Sequence, residues 1–110
     1  MAKQQHDKKY RGLGHQAVTA NRLADGAVVY RTVFGGWTET IDEAAIAADR
    51  EVANALLAEV ALDVTRSIVV APYLIDVELR GERVRPAAFR ERIRAFGPTI
   101  PASIHHYDSL

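Results

Sequence analysis

The chain has 110 residues, 48% of them apolar and 25% charged, with 14 basic residues against 14 acidic ones and no cysteine. That length supports one hydrophobic core rather than two, and the missing thiol excludes a disulfide framework, a thiolate nucleophile, cysteine-ligated zinc and an all-cysteine iron–sulfur cluster. Net neutrality disfavours a grip on nucleic acid through phosphates unless a local patch supplies it.

In chain order, residues 1–15 read as a flexible basic leader, with Lys3, Lys8, Lys9 and Arg11 against Asp7. It lacks the apolar stretch of a secretory signal, and no later run reaches the roughly 20 apolar residues of a membrane span. A cytoplasmic protein is expected. Residues 16–100 read as a single domain and 101–110 as a flexible tail. Ala17–Leu23 and Ala27–Phe34 are β-rich runs joined by Ala24-Asp25-Gly26. Asp-Gly between such runs signals a hairpin, because both residues tolerate the positive φ of a type I′ turn. In the second run Val28, Tyr30, Thr32 and Phe34 share one face. Gly35-Gly36 breaks the strand, and Trp37 is expected to pack over the sheet.

Thr38–Ala48 reads two ways. Thr40-Ile41-Asp42-Glu43 spells a capping box for a short helix, while Glu43–Ala47 could supply a third strand. Three strands before a helix make the more compact layer, so the strand is the expectation. A long helix then starts at Asp49, a good N-cap, with Glu51 at its positive end and Arg66 at its negative end. Val52, Leu56, Val60 and Val64, flanked by Ala53 and Leu57, form a stripe at helical spacing and are expected in the core.

Pro72 divides the next β region into Ile68–Val70 and Tyr73–Arg80, or bends a single edge strand. After it Tyr73, Ile75, Val77 and Leu79 alternate with Leu74, Asp76, Glu78 and Arg80, which favours an antiparallel sheet with one wet face. Gly81-Glu82 suits a tight turn with glycine first. Pro86 suits the first turn of a second helix, with Phe89, Ile93 and Phe96 on its buried face and Gly97-Pro98 as its stop. The fold class is therefore α+β: a small, mostly antiparallel sheet of four to five strands against one long helix, with a shorter C-terminal helix.

Few residues are arranged for chemistry. Arg83, Arg85, Arg90, Arg92 and Arg94 fall close together, with Arg90 and Arg94 one helical turn apart. Such a patch could dock an acidic protein surface, a phosphate or a nucleic acid, or simply be a solvated face. His6, His15, His105 and His106 all lie in the expected leader and tail, away from ordered carboxylates, so no metal site is expected. Asp42 with Glu43, and Asp76 with Glu78, are acid–base candidates by residue type only. Ser67, Ser103 and Ser109 lack a strand–turn–helix elbow, and Gly12 and Gly14 lack the strand and Lys-Ser/Thr of a phosphate loop. No catalytic residue and no cofactor is assigned, and a non-catalytic role is favoured over an enzyme.

Four segments in order are more specific: Thr19-Ala-Asn-Arg-Leu-Ala-Asp-Gly-Ala-Val-Val-Tyr30, Gly36-Trp37, Val69-Val-Ala-Pro-Tyr-Leu-Ile-Asp-Val77 and Arg90-Glu-Arg-Ile-Arg-Ala-Phe-Gly-Pro-Thr99. Together they resemble the bacterial family catalogued as domain of unknown function 2849, found mainly in alphaproteobacteria, over about Gln16 to Ile100. The chain departs from it at Ala71, where an acidic residue is expected before Pro-Tyr, and in its long basic leader. Genes of that family sit beside the haemoprotein subunit of assimilatory sulfite reductase, so the resemblance implies a role in sulfate assimilation without supplying a mechanism. With no cysteine and no flavin or nicotinamide motif, this chain is expected to be neither the catalytic subunit nor an electron carrier. An adaptor for the haemoprotein is the leading expectation, with Arg83, Arg85, Arg90, Arg94 and Trp37 as partner-binding residues. The alternatives are a nucleic-acid-binding regulatory module and a small oxyanion-binding protein or enzyme. An exposed edge at Tyr73–Arg80 would also permit a homodimer through strand pairing.

Overall fold

Five antiparallel strands carry the architecture in the computed structural model, which describes residues 14–97. They are β1 (His15–Arg22), β2 (Val28–Arg31), β3 (Trp37–Thr38), β4 (Val69–Arg80) and β5 (Arg83–Pro86), ordered β3-β2-β1-β4-β5 across one sheet. A 3-10 turn (Ile41–Glu43) and two helices, α1 (Arg50–Glu59) and α2 (Ala61–Thr65), lie between β3 and β4, and α3 (Phe89–Phe96) follows β5. This is the expected α+β class. The expectations for residues 1–13 and 98–110 lie outside the described residues.

Strand register decides what each side of the sheet presents. Thr19 of β1 stands opposite Tyr30 of β2 and Tyr73 of β4, so these three form a row across one face. Beside it Ala17, Ile75 and Val77 join Ile41, Ala44 and Val84 in a buried cluster, with Ala95 of α3 packed against it. Ala20, Val29 and Val69 form the cluster of the opposite face, with Trp37 against it. The bent pair α1–α2 covers that second face. Burying a valine-sized side chain is worth about 1.5–3 kcal/mol, and both faces depend on such residues. The result is a sheet between two helical layers.

Several elements differ from expectation for identifiable reasons. The β1–β2 hairpin forms, but its closing bond runs from Arg22 N–H to Ala27 O, giving a longer loop than a two-residue type I′ turn. Gly26 takes the positive φ there (76°) and Asp25 accepts from the Ala27 N–H. β2 stops at Arg31, because Thr32 folds back: its N–H donates to Gly36 O, and its hydroxyl accepts from the Gly36 N–H. The strand expected at Glu43–Ala47 is absent as a strand. Ala47 alone bridges β1, exchanging two bonds with Gln16, while Ile41–Glu43 turns tightly. The Thr40 side chain makes no cap bond. Its role passes to Thr38, whose hydroxyl donates to Glu43 and accepts from the Thr40 N–H.

Asp49 caps α1 as expected, accepting from the Val52 N–H at 2.9 Å. The apolar stripe is only half buried. Ala53 and Val60 are sealed, but Val52 is 47% and Val64 38% exposed. The helix breaks at Val60, which swings α2 so that Asp63 rather than Val64 meets the sheet. β4 is continuous through Pro72; β1 pairs along one side of it, while β5 covers the other side only at Val77–Arg80, so the part before Val77 has an open edge. A bulge absorbs the proline: the register shifts between Thr19 and Asn21, and Ala71 adopts φ 54°. Gly81, at φ 63°, opens the tight β4–β5 turn as anticipated. Pro86 ends β5 opposite Val77 instead of starting the helix. Of the face expected to be buried on α3, Phe89 is 58% exposed and Ile93 and Phe96 are half-buried, whereas the most buried residue of the helix is Glu91, 6% exposed.

Candidate partner-binding site

The five arginines of the C-terminal segment separate once folded. Arg94 turns into the sheet. Its guanidinium donates to Thr19 Oγ1 (2.7 Å), Ala20 O (3.2 Å) and Asn21 Oδ1 (3.0 Å), and stacks over the Tyr73 ring at 5.3 Å. Arg92 donates to the carbonyls of Pro86 and Ala87, tying α3 to the strand before it. Arg85 is buried against Glu78 at 2.6 Å. Arg83 remains exposed but engages Asp42, which also accepts from the Val84 N–H at 2.7 Å. Arg90 is exposed at the start of α3.

Trp37 occupies the other face. Its Nε1–H donates to Asp63 Oδ2 at 2.8 Å, and the same oxygen accepts from Arg31 at 2.9 Å. The Arg31 guanidinium lies over the indole at 5.4 Å. So the structure places Arg90 and Arg94 on one side of the sheet and Trp37 on the other, and they do not form one surface. The carboxylates singled out by type are also engaged: Asp76 accepts from Gln16, Glu78 from Arg85, Asp42 from β5 and Glu43 from Thr38.

Beneath α3 lies a polar knot that residue types alone did not announce. Tyr73 donates to Glu91 Oε2 at 2.7 Å, and Arg94 lies 3.5 Å from Glu91 Oε1. Glu91 Oε1 and the Tyr30 hydroxyl are buried without a hydrogen-bond partner among the described residues. Burial pushes the Tyr30 hydroxyl up to about 12, with the nearby Arg94 charge opposing. Burial and the bond to Glu91 raise Tyr73 as well. The only hint in the sequence was the i,i+3 pairing of Glu91 with Arg94, which reads equally well as a surface pair.

Beside the knot the surface opens. A depression of about 160 Å³ is lined by Tyr73, Leu74, Ile75 and Asp76 of β4 and by Ala88, Arg90 and Glu91 at the start of α3. A second crevice, about 30 Å³, lies near Gly14, Ala47 and Asp49 and has room for water. Among the described residues no group of three His, Asp or Glu side chains is placed to hold a metal ion, and no helix is long and apolar enough to cross a membrane.

The residues of this knot and depression, and all of the sheet but His15, fall inside one matched segment: the family model described as a protein of unknown function (DUF2849) covers residues 16–103. The chain belongs to that family. The family's segment takes in every described element from the second residue of β1 to the end of α3. No curated protein and no solved structure matches the chain.

Proposed function

We propose that the protein is a non-catalytic accessory protein of assimilatory sulfite reduction, working in the cytoplasm as an adaptor for the sulfite reductase haemoprotein. The observation that supports an interaction role is the outward end of α3. Phe89 is 58% exposed and Arg90 is exposed beside it, at the rim of the depression along β4. An aromatic and an arginine beside a concave patch are the side chains that dominate protein interfaces. The partner is drawn from the family resemblance, through the gene neighbourhood that it implies. Lacking cysteine, the chain offers no thiolate for the haemoprotein's cluster, so assistance to that subunit is the role consistent with its composition.

The test is co-sedimentation of the purified full chain with the cofactor-loaded haemoprotein from the same cell at moderate salt. A stoichiometric complex is expected, weakened at least tenfold by Arg90→Glu. The variant avoids Arg94, whose loss would disturb the fold. No complex with a folded, loaded haemoprotein would overturn the adaptor reading.

A further inference from the structure

The register of β4 leaves a gap in the edge of the sheet. Gln16 exchanges both backbone bonds with Ala47, so its N–H and C=O face away from β4. Its partner across the ladder, Asp76, therefore faces away from β1, and accordingly accepts from the Ala87 N–H at 2.9 Å. Two residues earlier, Leu74 has the same orientation. β5 pairs only with Val77–Arg80, and after Ala87 the chain leaves the edge to begin α3. No hydrogen bond reaches the Leu74 backbone from that side among the described residues, and the depression under α3 lies along it.

We propose that this gap is a strand-addition site that takes an extended segment of a partner protein, with an apolar residue flanked by acidic or small ones. The inference rests on the interaction role proposed above but not on the haemoprotein as the partner. An extended backbone matches a free donor and acceptor on a sheet edge, and this is how strand-adding domains gain affinity. The flanking side chains decide the pattern. A residue opposite Leu74 shares its face and meets that leucine. Residues opposite Tyr73 and Ile75 point toward the first turn of α3, where Arg90 is exposed and Glu91 is already held by Tyr73 and Arg94. The exposed guanidinium of Arg90 favours a carboxylate at those positions. A second copy of this chain does not fit. Two-fold pairing about Leu74 would bring the partner's strand against Asp76, whose carbonyl is taken and whose lane holds Ala87. On the other flank the bulge at Ala71 and the missing N–H of Pro72 end the ladder.

The experiment pans a random dodecapeptide library on the full chain and follows the best synthetic peptide by amide hydrogen exchange and fluorescence polarisation. The Leu74 amide is expected to exchange rapidly in the free chain and at least tenfold more slowly with saturating peptide. The amides of Tyr73 and Ile75, which already bond to β1, should not change. Leu74→Pro removes the outward donor and puts the proline ring in its place, so it should abolish binding, while Leu74→Ala, which keeps that donor, should retain most of it. The exchange pattern needs no variant and stands if Leu74→Pro does not fold. Failure to select a peptide, protection elsewhere, or binding unaffected in a folded Leu74→Pro variant would overturn the proposal. So would a Leu74 amide already protected in the free chain, in a concentration-independent way if residues 98–110 occupy the edge, or a concentration-dependent one if a second copy does.

Discussion

The two faces of the sheet solve the same problem with different degrees of closure. Each sets an arginine against a carboxylate and an aromatic ring: the buried Arg31 with Asp63 and Trp37 under α2, and the half-buried Arg94 with Glu91 and Tyr73 under α3. Under α2 a single carboxylate oxygen accepts from both the guanidinium and the indole, and the exposed Glu59 adds a longer contact at 3.6 Å. One orphan remains there, Arg31 Nε. Under α3 the acid leaves one buried oxygen without a hydrogen bond, the Tyr30 hydroxyl is orphaned as well, and the knot abuts an open depression. The first arrangement fastens the sheet to α2, the short second half of the bent helical pair. The second leaves unsatisfied groups next to the surface where we place binding.

The largest expected effect breaks the fastened side. Asp63→Ala strands Arg31, 8% exposed, without its close counter-ion, and removing one partner of a buried pair costs about 3–5 kcal/mol. Chemical denaturation should show a loss at the lower end of that range, because Glu59 can still approach. The loss should be global, since β2, β3 and α2 all meet at that oxygen. A change below about 1 kcal/mol would mean that the triad is a surface pair and that the contrast between the faces is drawn wrongly.

A middle-sized effect sharpens the other side. Tyr30→Phe keeps the ring that packs in the core and deletes a hydroxyl buried without a partner, so it should stabilise the fold by about 1 kcal/mol. The pH dependence follows from the raised hydroxyl. Its folded value, about 12, lies above the ordinary 10, so the folded state holds the proton more tightly than the unfolded one. Stability from this group is complete below pH 10 and is lost as pH rises toward 12. Thermal melts between pH 9 and 12 should show the wild type losing stability more steeply than Tyr30→Phe. Parallel curves would place the hydroxyl in contact with a partner or with solvent.

Legibility in the sequence follows the range of the interaction. The Asp49 cap, the glycine-first turn at Gly81 and the alternation through Tyr73–Val77 were readable because each is decided within a few residues. The family segments added the extent of the domain. What could not be read was set by distant partners. Glu91 and Arg94 look like a solvated helical pair until Tyr73, 18 residues before Glu91, and Thr19, 75 residues before Arg94, arrive beneath them. The stripe through Val52 and Val64 assumes a straight helix, and Asp63 bends it toward Arg31. Trp37 was expected over the sheet, where it lies half-buried, but not as a donor to a carboxylate on α2.

The smallest expected effect concerns the strand that both faces share. Ala71 holds φ 54° at the β4 bulge, a left-handed conformation in which its Cβ crowds the following carbonyl at a cost of about 1–2 kcal/mol. Glycine adopts it freely but loses more entropy on folding, so Ala71→Gly should gain less than that, about 0.5 kcal/mol. Ala71→Asp restores the kind of residue that the family resemblance leads one to expect. Asp tolerates left-handed backbone by bonding locally, so it should gain a similar amount. The two variants separate backbone relief from side-chain chemistry. If both raise the denaturation midpoint and neither changes peptide binding at Leu74, the acid at this position serves the bulge. If only Asp changes binding, its carboxylate belongs to the edge, and the preference for acidic peptides inferred from Arg90 should weaken in that variant.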